Sequence, residues 1–136
     1  MRIAFLNLCH TDPEIVARVA NKLTKNPNFD MYIHVDAKQD ERPFRELLKD
    51  NPQVYFIKNR QKVYWGGYNA ILATVELLKE ALSSDRNYDY VVALQNLDYP
   101  IKSNDYIEQF FTKNKGTEYL RGCKIARTKD THYSAK

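Results

Sequence analysis

The sequence predicts an α/β fold built on a mostly parallel sheet with helices on both faces. Two observations carry this. Strand-like and helix-like stretches alternate along the chain, the pattern of successive strand–helix–strand units. The first strand-like stretch, residues 2–8, is an apolar run without clear polar alternation, as expected of a strand covered on both sides. The 136 residues suit a single domain with one core, and no repeat, linker or low-complexity stretch divides them.

Each element has its own signal. After the strand at 2–8, Thr11-Asp12-Pro13-Glu14 spells a helix start, with Thr11 and Glu14 spaced as a capping box and Pro13 at an early helical position. Ile15, Val16, Val19, Ala20 and Leu23 then recur at helical spacing, up to a stop near Asn26-Pro27. Residues 31–35 form a second strand, 43–49 a short helix and 54–57 a third strand. Residues 58–68 are a loop broken by Gly66-Gly67. Ile71, Leu72, Val75, Leu78 and Leu82 mark an amphipathic helix over 69–82. A fourth strand follows at 88–94, then a helix capped by Ser103 that carries Tyr106, Ile107, Phe110 and Phe111. Thr117 to Leu120 suggest the start of a fifth strand, and residues 121–136 are basic, polar and aperiodic.

The bulk numbers exclude several classes. No apolar run approaches the ~20 residues of a membrane span, and the opening strand is too short for a signal peptide. The expected setting is therefore cytoplasmic, with room for peripheral association at a membrane surface. Cys9 and Cys123 are the only cysteines and no C-x-x-C pair occurs, which fits reduced thiols and no structural zinc. The net charge of +4 favours an anionic ligand, but the positive residues are too scattered for a nucleic-acid face.

Ligands of open α/β sheets bind beyond the carboxyl ends of the strands, where three segments carry suggestive residues. Asp36, ending the second strand, can accept hydrogen bonds from a ribose or a uracil imide, or can cap the turn that follows. His34, one step inside, reads as a satisfied interior residue and not as a metal ligand. In Asn59-Arg60-Gln61-Lys62-Val63-Tyr64-Trp65-Gly66-Gly67, the lysines and arginine at 58, 60 and 62 alternate, giving one cationic face for a diphosphate. Trp65 is the sole tryptophan, either lining a ligand or packed as core. After the fourth strand, Asn96-Leu97-Asp98 offers one carboxylate where an acid-x-acid pair would hold a divalent ion; an amide and one carboxylate hold such an ion poorly, so no metal is expected. Asp98 and Pro100 also make a turn on their own account.

Taken in order and spacing, these segments resemble the core-2/I-branching enzyme family of β-1,6-N-acetylglucosaminyltransferases and peptide O-xylosyltransferases. The matching stretches are Phe5-Leu6-Asn7-Leu8-Cys9-His10 with Asp12-Pro13-Glu14, Tyr32-Ile33-His34-Val35-Asp36, Lys62-Val63-Tyr64-Trp65-Gly66-Gly67, and Asp98-Tyr99-Pro100-Ile101-Lys102-Ser103. The resemblance implies a GT-A-like, Rossmann-like sheet and inverting transfer from a UDP-sugar to a glycan or other hydroxyl acceptor without a metal. Residues 1–120 would be the nucleotide-sugar-binding part of a truncated domain, and 121–136 a basic segment that continues in an intact enzyme.

By the same resemblance Asp36 meets the uracil, and Leu8 and Cys9 frame the base. Arg60, Lys62, Trp65, Gly66 and Gly67 line the nucleotide pocket. Asp98 stands beside the donor sugar or diphosphate, and Glu118 contacts the acceptor. Gln95-Asn96 replaces the serine– or cysteine–glycine pair usual in the family. The family's catalytic glutamate has no match in this chain, so the general base is expected beyond Lys136. The alternatives are a non-catalytic UDP- or sugar-binding fragment and, further off, a nucleic-acid binder.

Overall fold

The computed structural model describes residues 1–120. Eight elements follow one another: β1 (Ile3–Cys9), α1 (Pro13–Leu23), β2 (Phe29–Val35), α2 (Arg42–Leu48), β3 (Val54–Phe56), α3 (Asn69–Leu82), β4 (Tyr90–Gln95) and α4 (Asn104–Lys113). The four strands form one sheet in the order β3-β2-β1-β4, and every neighbouring pair is parallel. This is the α/β architecture with a parallel sheet expected from the alternating pattern, and the Rossmann-like arrangement that the resemblance implies.

β1 and β2 are the buried strands, without a single exposed residue between them. Odd positions of β1 (Ile3, Phe5, Cys9) join Phe29, Met31, Ile33 and Val35 under α1 and α2, with Ile107 and Phe111 of α4 packed against the same cluster. Even positions (Ala4, Leu6) meet Tyr32, Ile57 and the α3 residues Leu77 and Ala81 on the other face. Two apolar layers on one central pair explain why these strands carry no alternation in sequence.

At the amino end of the α3 face, the fully buried Asp30 accepts from Arg86 at 2.6 Å and from the Tyr88 hydroxyl at 2.8 Å. The Tyr32 and Tyr88 hydroxyls lie 2.9 Å apart. A buried charge is tolerated when paired and hydrogen-bonded in this way, and burial with these partners pushes the Tyr88 hydroxyl well above the ordinary phenol range.

α3 runs over the residues its periodicity predicts, and Ser103 caps α4 by accepting from the Tyr106 N–H at 3.2 Å. Two local expectations are corrected. The Thr11–Glu14 capping box does not form: the helix begins at Pro13, so the cap position falls on Asp12, which has φ 53° and makes no side-chain cap. Asp tolerates this left-handed conformation better than most residues. The fifth strand over Thr117 to Leu120 is also absent. The Thr117 N–H donates instead to the Asn114 carbonyl, closing the turn after α4, and the Tyr119 ring packs on Phe110 and Phe111.

Among the described residues no helix is long and apolar enough to cross a membrane. Leu77 is 1% exposed between α3 and the sheet, whereas Leu82 on the same helix is 64% exposed. Leu77→Ala is therefore expected to cost about 2–5 kcal/mol and Leu82→Ala no more than ~0.5 kcal/mol, read from urea midpoints at constant m-value.

Candidate functional site

Strand order reverses at β1: β2 and β3 lie to one side of it and β4 to the other. The chain leaving β1 passes through α1 to β2, while β4, reached from β3 through α3, pairs on the other side of β1. The crevice beyond the carboxyl ends of β1 and β4 is where such sheets take ligands. A cavity of about 410 Å³ occupies this place, walled by Leu8, Cys9 and His10, by Asp36 and Lys38, by Val63 to Gly66, by Ala70, and by Gln95 and Asn96.

Asn96 builds the β4 wall. It is 6% exposed, and its side-chain oxygen accepts from the backbone N–H groups of His10 at 2.7 Å and Thr11 at 2.9 Å. Its own N–H donates to the Leu8 carbonyl at 3.1 Å. One side chain thus ties the loop after β1 to the end of β4. A glycine at this position could not do so. Asp98 serves the same corner from outside: its carboxylate accepts from the Gln95 N–H at 2.8 Å, and its N–H donates to the Gln95 carbonyl.

The opposite wall hangs from the end of β2. Asp36 is 4% exposed, and its Oδ1 accepts from the backbone N–H groups of Lys38 at 2.9 Å and Val63 at 3.3 Å. His34 is fully buried, and its Nε2 accepts from the Gln61 N–H at 2.8 Å. The Gln61 carbonyl in turn accepts from the Ala37 N–H at 3.0 Å. Because Nε2 accepts, the ring proton sits on Nδ1 and the imidazole is neutral. Burial lowers the His34 pKa below its ordinary value, against the opposing pull of its own backbone and of Asp36.

From this anchorage the chain reaches a tight turn in which the Gly67 N–H donates to the Tyr64 carbonyl at 2.9 Å. Gly66 has φ +68°, which favours glycine, and a Cβ on Gly67 would stand 3.0 Å from the Tyr64 carbonyl oxygen. Trp65 is consequently held out at the crevice mouth, 94% exposed, and takes no part in the core.

Charge in the crevice comes from Lys38, whose ammonium lies 3.4 Å from Asp36 Oδ2 and 4.4 Å from the Tyr64 ring centroid. The first turn of α3, at Ala70, adds the positive end of a helix. Cys9 is a free thiol whose pKa is pushed up to about 12 by burial, so it stays protonated and inert at neutral pH.

Of the residues singled out from the sequence, Leu8, Cys9, Asp36, Trp65 and Gly66 line the one crevice. Gly67 shapes its turn without lining it. Asp98 buttresses Gln95 instead of facing the cavity. Arg60 turns away, pairing with Glu41 at 3.6 Å and donating to the Gln39 carbonyl at 3.2 Å, and Lys62 is exposed outside the wall. Glu118 follows Gly116, whose N–H donates to the hydroxyl of Tyr90 at the start of β4, far from the strand's crevice end. Cys123, the basic segment 121–136 and the general base expected beyond Lys136 all lie outside the described residues. Lys38, Tyr64, His10 and Asn96 are wall residues not assigned a role from the sequence. Lys38, a cation two positions past a strand-end acid, was the readable signal among them. Among the described residues no three His, Cys, Asp or Glu side chains cluster as metal ligands.

A family model described as Core-2/I-Branching enzyme matches residues 3–132. The chain is 30% identical over 98 residues to the Xylosyltransferase oxt of Drosophila melanogaster, covering 71% of this chain and 11% of that protein. It is 23% identical over 124 residues to the human Xylosyltransferase 1, covering 89% of this chain and 13% of that protein. The chain thus spans only a small part of the length of the curated relatives it matches. With a match running through nearly all of its residues, onto the strands and the loop that wall the crevice, the chain belongs to the Core-2/I-branching enzyme family.

Proposed function

We propose that this chain is the donor-binding part of a glycosyltransferase that uses a UDP-sugar and inverts configuration at the transferred sugar. The observation that carries the reading is the convergence of Asp36, Lys38, the Tyr64-Trp65-Gly66 corner and the β1 end on one crevice at the switch point. Asp36 Oδ2 accepts from neither backbone donor and faces only the Lys38 ammonium at 3.4 Å, so it retains a lone pair for the imide N–H of a uracil. Lys38 and the amino end of α3 supply positive charge for a diphosphate. An inverting transfer needs such charge on the departing UDP, and a base to take the acceptor proton.

The relatives named as xylosyltransferases favour a xylosyl donor; N-acetylglucosamine is the family's other option. The acceptor is a glycan or another hydroxyl. A metal-free diphosphate site is supported by the makeup of the wall, where Asp36 is the only carboxylate among the described residues and a lysine stands beside it. Since Asp36 is engaged with Val63 and Lys38, none of the described residues is assigned as general base.

The second reading, a UDP- or sugar-binding protein without transferase activity, rests on the same crevice and on that lack of an assignable base. Release of UDP from a UDP-sugar distinguishes the two.

Calorimetry is expected to give saturable heat with UDP, weaker heat with uridine, and a moderate loss at raised salt, as the charge on the diphosphate is screened. No heat at millimolar UDP overturns the reading, and binding that is not competed by UDP but collapses with salt points to nucleic acid. Asn96→Ala is expected to destabilise the fold by about 1–3 kcal/mol, because two backbone donors lose their buried acceptor. It should also weaken UDP binding, since the β1 wall loses its tie to β4. Thermal melts and the same titration check both.

A further inference from the structure

We propose that His34 is a positioning residue for the crevice: its neutral Nε2 latches the Trp65-bearing loop to the end of β2, and the pocket is assembled only while that latch is closed. The ligand part of this inference rests on the UDP reading; the latch itself does not.

The loop wall is fastened to β2 at three points: His34 Nε2 to the Gln61 N–H at 2.8 Å, the Ala37 N–H to the Gln61 carbonyl at 3.0 Å, and Asp36 Oδ1 to the Val63 N–H at 3.3 Å. The first is the shortest, and it alone depends on a side chain that changes from acceptor to donor near neutrality. An imidazolium would set N–H against N–H at Gln61 and place a charge in a fully buried site. Val63 leads directly into Tyr64, Trp65 and Gly66, which wall the cavity. Opening at Gln61 therefore displaces one whole side of it.

The surroundings fix the direction. Asp36, just past the end of β2, favours the imidazolium, and Arg60 on the loop opposes it. β1 contributes Leu8 at the paired position, and α3 brings apolar Ala73 and Leu77 to this face of the sheet. Glu76 on the flank of α3 is tied to Asn59 and Lys79, and Lys38 to Asp36 and Tyr64. Burial outweighs these charges and lowers the pKa. The latch is thus complete above the ordinary imidazole value near ~6.5, and it is lost as pH falls below that value and through the lowered one.

Trp65 is the only tryptophan, so its fluorescence anisotropy reports the mobility of this loop without any ligand. The full chain, His34→Gln and His34→Leu are compared from pH 8 to pH 5. Anisotropy, exchange of the Gln61 amide, the His34 ring resonances and UDP affinity are followed together. Glutamine places an oxygen near the Nε2 position and does not titrate; leucine offers no acceptor.

In the unmodified chain, anisotropy should fall and Gln61 exchange should quicken in step with the His34 ring titration, and UDP affinity should drop about tenfold. His34→Gln should stay flat across the range. His34→Leu should already show the loosened loop and weak binding at pH 7.5. The inference is overturned if the loop transition misses the His34 titration, if His34→Gln shows the same acid transition, or if His34→Leu leaves loop and affinity unchanged. Should a substituted chain fail to fold, agreement or disagreement between ring titration and loop transition in the unmodified chain decides alone. A loop transition without any UDP binding sinks the nucleotide reading and leaves the latch standing.

Discussion

The pairing of β1 with β4 is the constraint on which the rest of the molecule turns. β1 already has β2 as its neighbour in sequence; taking β4 on its other side reverses the strand order and opens a crevice at the carboxyl ends. The register sets Leu8 against Gln95, so the strands end level with one another. Asn96 then extends the pairing beyond the last ladder bond by gathering two N–H groups from the loop after β1. Without that pairing the chain would have strands and helices but no site.

The second wall is built by a different device. The long loop before α3 makes no regular ladder with β2, yet His34, Asp36 and Ala37 hold it by side chain and backbone at the point where the strand stops. Buried polar side chains at a strand end are costly unless bonded; here His34 Nε2 and Asp36 Oδ1 bond the loop, which is ordered by them, while His34 Nδ1 is buried without a partner. The glycine pair completes the arrangement by letting the chain reverse tightly enough to leave the indole at the rim.

Periodicity made most of the architecture readable. Apolar runs gave the sheet strands, and the spacing of Ile71 to Leu82 gave α3 without error at either end. Short-range chemistry was harder. The box at Thr11 and Glu14 has the right spacing, but the helix starts one residue later than it requires, because Asp12 takes a left-handed turn that its residue type tolerates but the spacing does not signal. The basic alternation at 58, 60 and 62 was readable as charge but not as direction: Arg60 is drawn to Glu41, a partner on another loop. Asn96 looked like a loss of a glycine, and its role depends on donors 85 and 86 residues away. Residue types and their spacing mark where a site lies; which atoms remain free for a ligand is decided by contacts distant in sequence.

The walls of the crevice come from residues as far apart as Leu8 and Asn96, so no unfolded or half-folded chain can offer the same surface. Any molecule that fits there binds the finished sheet alone, and by mass action it draws the folding equilibrium toward that sheet. For a small sheet with one short edge strand, the occupant of the site is then also a clamp on the architecture that made it.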